Sequence, residues 1–245
     1  EDSPRYVFRP IICQQRNLVS RGQQKDTYIG DECKSKSHFL DINNPIEDGV
    51  ITNWDEMEKI WHHVFYNQLQ IDPSDYAVLL TEALMNPKDN REKMTEIMFE
   101  TFNVQSFYVA CQPALSLYAS GHKTGMFVDI GNSISHFLPI YEMTLYTHEA
   151  IKQNFAGCHL TSWLQKLLKE QSYNFTSFAE KEILRDIKEK HCYVAIDYDA
   201  ELKKARSSDK CDVTYALPGK RSITIGDERF RCPELLFKPY LNGFE

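Results

Sequence analysis

Apolar residues recur at helical spacing over residues 54–69, at Trp54, Met57, Ile60, Trp61, Val64, Phe65 and Leu69. This period places the apolar side chains on one face of a helix. Asn53, just before the stretch, has a side chain that suits an N-cap, and Asp55 and Glu56 suit the positive end of the helix dipole. The pattern therefore predicts an amphipathic helix with one buried stripe.

Short apolar runs alternate with helical patterns further along the chain. Residues 77–81 form a continuous apolar run, which predicts a strand buried on both faces. Asn86 and Pro87 then open a helical pattern, and residues 107–110 predict a second strand before a short helix at 113–119. An order of strand, helix, strand and helix predicts a layered α/β fold.

The second half of the chain predicts two hairpins with helices between them. Residues 125–131 and 135–141 predict a pair of strands joined by a tight polar turn. Ser177 and Glu180 have the spacing of a capping box at the start of a long helix. Residues 215–225 predict the second hairpin, because the Pro-Gly pair in their middle favours a turn.

Composition and charge narrow the classes of partner. The chain has 245 residues, of which 42% are hydrophobic and 26% charged, as in ordinary globular proteins. Its formal net charge of −7 argues against a nucleic acid or an anionic membrane surface as a partner. Because no run of about 18 apolar residues occurs, we expect no membrane insertion. The chain opens with Glu1 and not with Met, which predicts that it begins inside a longer one.

The seven cysteines bear on the redox environment. They are widely spaced and include no CxxC pair, which argues against a zinc site. A disulfide framework is also a poor fit for a chain of this length. The sequence therefore predicts free thiols in a reducing compartment.

One short segment has the pattern of a phosphate and metal site. Asp129 ends a predicted strand and is followed by the tight turn Ile-Gly-Asn-Ser at residues 130–133. Backbone N–H groups of such a turn can face phosphate oxygens, and the acid can hold a water of a bound Mg²⁺. The same pattern also occurs in hairpins that bind nothing, so both interpretations stay open.

Three further positions have a functional and a structural interpretation. Gln112, between a strand and a helix, could orient an attacking water, or it could simply bond to backbone at the helix start. His136 in a strand could be catalytic or structural. Lys188 and Glu189 could line an adenine or ribose pocket, or they could belong to a solvated helix face.

Several long strings resemble actins, in the order that they have in actins. They are TNWDEMEKIWHH at 52–63, NREKM at 90–94, IMFETFN at 97–103, LSLYASG at 115–121, RDIKEK at 185–190, ITIG at 223–226 and ERFRCPE at 228–234. The resemblance covers nearly the whole chain and is closer to conventional actin than to distant actin-related proteins. A sugar kinase or chaperone ATPase of the same superfold is a less favoured alternative.

The resemblance implies an α/β, actin-like ATPase fold of the ribonuclease H-like type, with two lobes around an ATP·Mg²⁺ cleft. It assigns residues 1–119 to the first lobe, within which residues 12–44 form a small outer subdomain. It assigns residues 120–245 to the second lobe, within which residues 156–241 form the small outer subdomain. It also implies that the fold is incomplete, since the first phosphate loop would precede position 1 and the adenosine loop would follow position 245.

The resemblance also implies a role for each candidate residue. Gln112 and His136 match the positions that act on the hydrolytic water. The cofactor-binding positions that match are Asp129, Gly131, Gly157, Lys188 and Glu189, with Asp129 holding Mg²⁺ through water. The chain departs from actins in the second phosphate hairpin, where Ile130, Asn132 and Ser133 replace a serine, an aspartate and a glycine.

These departures set the functional expectation. The resemblance implies a cytoplasmic, cytoskeletal protein that forms filaments or binds actin, actin-binding proteins or copies of itself. Without the first phosphate loop the site loses several charge-assisted bonds, each worth roughly 1.5–3 kcal/mol, so we expect MgATP binding at least about three orders of magnitude weaker than in the family. Whether the chain is an ATPase is therefore left open. The alternatives are an interaction module that works without nucleotide, and a degenerate copy.

Overall fold

A computed structural model of the chain describes residues 3–15, 27–36, 40–208, 211–219 and 221–243. This part of the chain is a mixed α/β structure with eight α-helices and several small sheets, as the resemblance implies. It divides into two compact units. Unit 1 comprises residues 1–129 and 134–154, and unit 2 comprises residues 130–133 and 155–245. The two-lobe boundaries given above remain a prediction.

The first part of unit 1 is a small antiparallel sheet with one helix. Its strands have the order β2-β1-β3, and the elements are β1 (Ile12–Gln15), β2 (Thr27–Ile29), α1 (Asp31–Lys36) and β3 (Leu40–Asn43). Cys13 and Cys33 are joined in a disulfide. The expectation of free thiols is therefore wrong for this pair, because strand β1 and helix α1 bring together two cysteines that are 20 residues apart in the sequence.

The long amphipathic pattern forms two kinds of helix. After the short strands β4 (Ile46–Glu47) and β5 (Val50–Ile51), α2 (Trp54–His62) begins at the predicted N-cap, where the Asn53 side chain accepts a hydrogen bond from the backbone N–H of Glu56. From His63 to Leu69 the chain continues as a π-helix. The prediction of a helix is confirmed, but the apolar period did not indicate the wider turn in its second half.

A two-stranded parallel sheet packs on α2 and on α3 (Lys88–Glu100). It consists of β6 (Ala77–Glu82) and β7 (Ser106–Cys111), and α4 (Gln112–Ala119) follows β7 directly. Val78 and Leu80 pack into the core, whereas Leu79 is 55% exposed. The prediction that this strand is buried on both faces is wrong, because in the described residues only one face of the sheet is covered.

The last part of unit 1 is a four-stranded sheet around the predicted hairpin. Its strands are β8 (Gly125–Ile130), β9 (Ser135–Tyr141), β10 (Thr144–Leu145) and β11 (Ile151–Gln153). β8 pairs with β9, which confirms the hairpin, and β10 and β11 also pair with β9.

Unit 2 is mainly helical and has one hairpin. Its elements are α5 (Gly157–Glu170), α6 (Phe178–His191), α7 (Tyr198–Ser207), β12 (Val213–Leu217), β13 (Arg221–Ile225) and α8 (Glu228–Glu234). The capping box at the start of α6 is confirmed: Ser177 and Glu180 each accept, through the side chain, the backbone N–H of the other. The hairpin is confirmed as well. Among the described residues no helix has the length and apolarity to cross a membrane.

Candidate functional site

The N-terminus of α5 is bonded to the turn that follows β8. The backbone N–H of Gly157 donates to the Gly131 carbonyl at 3.0 Å, and that of Cys158 donates to the Asn132 carbonyl at 2.6 Å. The first N–H groups of a helix have no partner within the helix, so an outside acceptor must satisfy them. Here the turn's own carbonyl oxygens do so, and the predicted phosphate turn and the helix start form one joined structure.

Gly157 is needed where the turn and the helix meet. A Cβ atom at this position would lie 3.1 Å from the Gly131 carbonyl oxygen and 3.3 Å from Nζ of Lys188. Both distances are tighter than ordinary van der Waals contact. Any larger residue at position 157 would therefore push the turn or the lysine away.

Lys188 on α6 completes this cluster. Its Nζ donates to the Gly157 carbonyl at 2.8 Å, and its side chain is half-buried. Burial lowers the pKa of Lys188 from its ordinary value, because the charged ammonium is less stable away from water, while the neighbouring Glu189 opposes the shift. The structure thus brings together Gly131, Gly157 and Lys188, which lie far apart in the sequence.

Glu189 does not join that cluster through its carboxylate. The residue is exposed, and its Oε1 accepts a hydrogen bond from Nε of Arg185 at 2.6 Å, one helical turn earlier. This i,i+4 ion pair is the arrangement expected on a solvated helix face, where such pairs contribute about 0.3–0.5 kcal/mol. A ligand at Lys188 would have to compete with Arg185 for this carboxylate.

In unit 1, Asp129 and His136 interact electrostatically across the hairpin. His136 is 7% exposed, and burial lowers its pKa first, the nearby Lys152 lowers it further, and Asp129 opposes both. The imidazole is therefore neutral near pH 7. Within the described part of the chain, Nε2 of His136 is buried without a hydrogen-bond partner. A buried donor or acceptor without a partner is costly, and such groups occur where a water or ligand is to be held.

Gln112 is the first residue of α4, directly after β7. Its side-chain Nε2 donates to the Thr81 hydroxyl at 3.4 Å, at the end of the neighbouring strand β6. The residue is exposed and lies beyond the carboxyl ends of two parallel strands. In open α/β sheets ligands bind at this edge, so the position suits a ligand-facing role.

The described residues fit MgATP only in part. Lys188 and Glu189 can offer a cation and a carboxylate to a base or a ribose, but the N–H groups at the start of α5 already donate to the turn. A phosphate would thus find fewer backbone donors here than at an open helix N-terminus. Within the described ranges no group of three or more metal-binding side chains occurs, so Asp129 could hold Mg²⁺ only with help from water and phosphate.

Sequence reasoning missed a cavity in unit 1 of about 430 Å³. Its lining includes β2, α2 and the π-helical segment, through Thr27, Ile29, Glu58, Lys59, His62, His63, Asn67, Thr101 and Phe102. None of the predicted site residues lines it. A π-helical turn is a rare feature that often accompanies a functional site, but a count of apolar positions does not separate it from an α-helix.

The sequence also did not indicate that the backbone carbonyls of Gly131 and Asn132 accept hydrogen bonds from α5. Their role as acceptors for α5 depends on a tertiary contact between residues 26 positions apart, since Gly157 and Cys158 supply the donors. The only sequence signal is the pair of glycines, which permits a close approach of two backbones.

When the chain was compared with protein families, the family model for actin matched residues 1–245.

Proposed function

This chain belongs to the actin family, and we propose that it is an actin-like cytoskeletal protein, either a filament subunit or an actin-related structural protein of the cytoplasm. The family match over residues 1–245 carries this proposal. The partners would be actin, actin-binding proteins or further copies of this chain. A nucleic acid is not among the proposed partners, since the net charge is −7.

An apolar face in unit 1 supports the association. Leu79 of β6 and Tyr108 of β7 are register partners in the parallel sheet, and they are 55% and 66% exposed. A parallel sheet is normally covered on both faces, so further polypeptide would cover this apolar face, either another part of a longer chain or a partner. We call this pair the β6–β7 face.

The family ligand is ATP with Mg²⁺, and for this chain we propose weak binding. The proposed contacts are Asp129 to the metal through water, Gly131 and Gly157 beside the phosphates, and Lys188 and Glu189 beside the adenosine. Gln112 and His136 would position a water, and ATP would supply the phosphoanhydride bond. Binding is weakened because the donors at the start of α5 are already used and Glu189 is paired with Arg185. These observations also favour the second candidate, an interaction module that works without nucleotide.

Co-sedimentation with actin filaments tests the association. We expect the 245-residue chain to pellet with filaments, or by itself above a threshold concentration. The double change Leu79→Ser and Tyr108→Ser should reduce the pelleted fraction severalfold. Tyr118→Ser is the control, because Tyr118 is a similarly exposed tyrosine (63%) on α4 that does not belong to the β6–β7 face. A chain that stays in the supernatant at every concentration would overturn the proposal, and so would equal losses for both variants.

Isothermal titration with MgATP tests the nucleotide site. We expect no dissociation constant in the micromolar range or below, which corresponds to less than about 8 kcal/mol of binding free energy. Residual binding at millimolar nucleotide should fall in Lys188→Gln and persist in Lys190→Gln, because Lys190 is exposed and pairs with Asp186 on the same helix. A micromolar constant would contradict weak binding, and equal effects of the two lysines would contradict the proposed position.

A further inference from the structure

In the described part of residues 11–43 the apolar core is small, and a disulfide belongs to it. Among the described residues, one apolar cluster of this region contains Ile11, Cys13, Tyr28 and Cys33, with Ile42 as a partly buried neighbour, and Ile12 is fully buried as well. Both cysteines are 0% exposed and form one cross-link. We call residues 11–43, as far as the structure describes them, the stapled sheet.

Few buried apolar side chains are described in this region, so a covalent cross-link there adds stability that burial supplies elsewhere in unit 1. Small folds with few buried residues usually depend on a staple such as a disulfide or a metal. The position of this staple is effective, because Cys13 lies in the central strand β1, which pairs with both β2 and β3. Cys33 lies in α1, so the bond attaches the helix to the strand that holds the sheet together.

By restricting the unfolded chain, the cross-link shifts the equilibrium between the folded and the open sheet strongly towards the folded form. The two cysteines are 20 residues apart, and closing a loop of that length disfavours the open chain by about two orders of magnitude in the opening equilibrium. The other cysteines in the described residues are not placed in this way. Cys211 and Cys232, for example, are buried in unit 2 and are not part of a disulfide.

We propose that the Cys13–Cys33 disulfide is a redox-responsive clamp, and that the stapled sheet is folded when the bond is oxidised and opens locally when it is reduced. The reductant is a small thiol such as glutathione. Two thiol molecules each give up one hydrogen, the protein disulfide takes up two electrons and two protons to become two Cys thiols, and the small thiol becomes its own disulfide. The reverse exchange closes the clamp again.

The burial of the disulfide and the proposed cytoplasmic location favour a bond that is reduced and reformed over one that is permanent. Because both cysteine side chains are fully buried, a thiol can attack only when the sheet opens transiently, so the rate of reduction follows local opening. In cytosolic proteins disulfides are mostly transient and redox-sensing. For the compartment alone this inference rests on the proposed function.

Opening of the clamp would also change the cavity in unit 1. Thr27 and Ile29 of β2 form part of its lining, together with α2 residues such as His62. Loss of β2 pairing removes this part of the lining. The redox state of one disulfide would thus control the shape of a surface that includes helix α2.

Hydrogen–deuterium exchange of the 245-residue chain tests the clamp. We expect protection of peptides covering 27–36 and 40–43 to fall about 100-fold when a thiol reductant replaces glutathione disulfide, while peptides of α5 and α6 stay unchanged. Alkylation followed by mass spectrometry must show two additional thiols in the reduced sample. Unchanged protection in a sample with those two thiols would overturn the proposal.

Two variants separate the cross-link from simple burial. The double variant Cys13→Ala and Cys33→Ala keeps small apolar side chains, so it should exchange like the reduced protein under both conditions. Cys211→Ala, which changes a buried cysteine of unit 2, should keep the full redox response. A double variant as protected as the oxidised protein would show that burial and not the bond holds the sheet. Peptides of α5 and α6 report in the same spectra whether each variant is folded.

Discussion

The stapled sheet and unit 2 are stabilised in different ways. Unit 2 has eleven buried residues in one apolar cluster, contributed by α5, α6, α8 and the β12–β13 hairpin among others. Among its described residues the stapled sheet has five buried hydrophobic residues, and two of them are the cross-linked cysteines. A helix with a leucine stripe contributes many buried side chains, whereas short strands contribute few, so a covalent link there adds a larger share of the stability.

The comparison is visible in the sequence of each region. Helix α5 carries Leu160, Leu164, Leu167 and Leu168 on one face, and all four are buried. The three strands of the stapled sheet are only three or four residues long, so each offers few inward positions. The loss of a single buried residue should therefore change the free energy of unfolding by different amounts in the two regions.

Deletion of a buried leucine in unit 2 should give the largest effect. Leu184 on α6 is 0% exposed, and Leu184→Ala should lower the free energy of unfolding of unit 2 by about 2–5 kcal/mol, since it removes apolar burial and leaves a cavity. Urea denaturation followed by exchange of unit 2 peptides measures this. The cost should be the same with and without reductant, because the core of unit 2 contains no disulfide among its described residues.

Leu241→Ala is the matched control for that change. Leu241 belongs to the same unit but is 41% exposed, so we expect a loss below about 1 kcal/mol. If the two substitutions lower the free energy of unfolding equally, or if the reductant alone destabilises unit 2, the proposed difference between the core of unit 2 and the stapled sheet is wrong.

The two units also differ in how they bury a titratable group. Glu228 in unit 2 is 2% exposed and has partners: it accepts hydrogen bonds from the side chain of Gln171 and from the backbone N–H of Gly226. His136 in unit 1 is 7% exposed, and its Nε2 has no partner in the described part of the chain. Burial raises the pKa of Glu228 and lowers the pKa of His136, so in both cases the neutral form is favoured.

A smaller, pH-dependent effect should follow, with opposite sign in the two units. The raised pKa of Glu228 gives stability that is present below about pH 4.5 and is lost as the pH rises through the folded pKa. The lowered pKa of His136 gives stability that is present above about pH 6.5 and is lost as the pH falls through the folded pKa. Urea titrations from pH 4 to pH 8 should show both slopes.

Each slope should disappear with its own substitution. Glu228→Gln should flatten the pH dependence of unit 2 above pH 4.5, and His136→Gln should flatten that of unit 1 below pH 6.5. If either substitution leaves its slope unchanged, the buried group named here is not its origin.

Local patterns were sufficient for most of the secondary structure. Asn53 and Ser177 begin helices as their side-chain chemistry predicts, and the hairpins at 125–141 and 213–225 form where their turns predict. The failures come from neighbours that a local pattern does not contain. Leu79 lies in a run apolar enough to predict burial on both faces, but its exposure depends on what covers the other face of the sheet.

The candidate site shows the same limit. The sequence indicates Gly131, Gly157, Lys188 and Glu189 as residue types that suit a nucleotide, and the resemblance supplies their roles. It does not indicate that Gly157 donates to the turn, or that Arg185 holds the carboxylate of Glu189. Whether a donor is available to a ligand depends on which acceptor lies within about 3 Å of it, and that acceptor can be far away in the sequence.

The sequence by itself determined the family, the α/β class, the helix starts and the turns, because each of these depends on nearby residues or on long strings of letters. Only the tertiary structure decided that Cys13 bonds to Cys33, that Nε2 of His136 is buried with no partner among the described residues, and that the start of α5 is satisfied by a turn. The physical reason is the same in each case. Backbone geometry depends on local sterics and local hydrogen bonds, whereas burial and pairing depend on distances between segments that only the folded chain brings together.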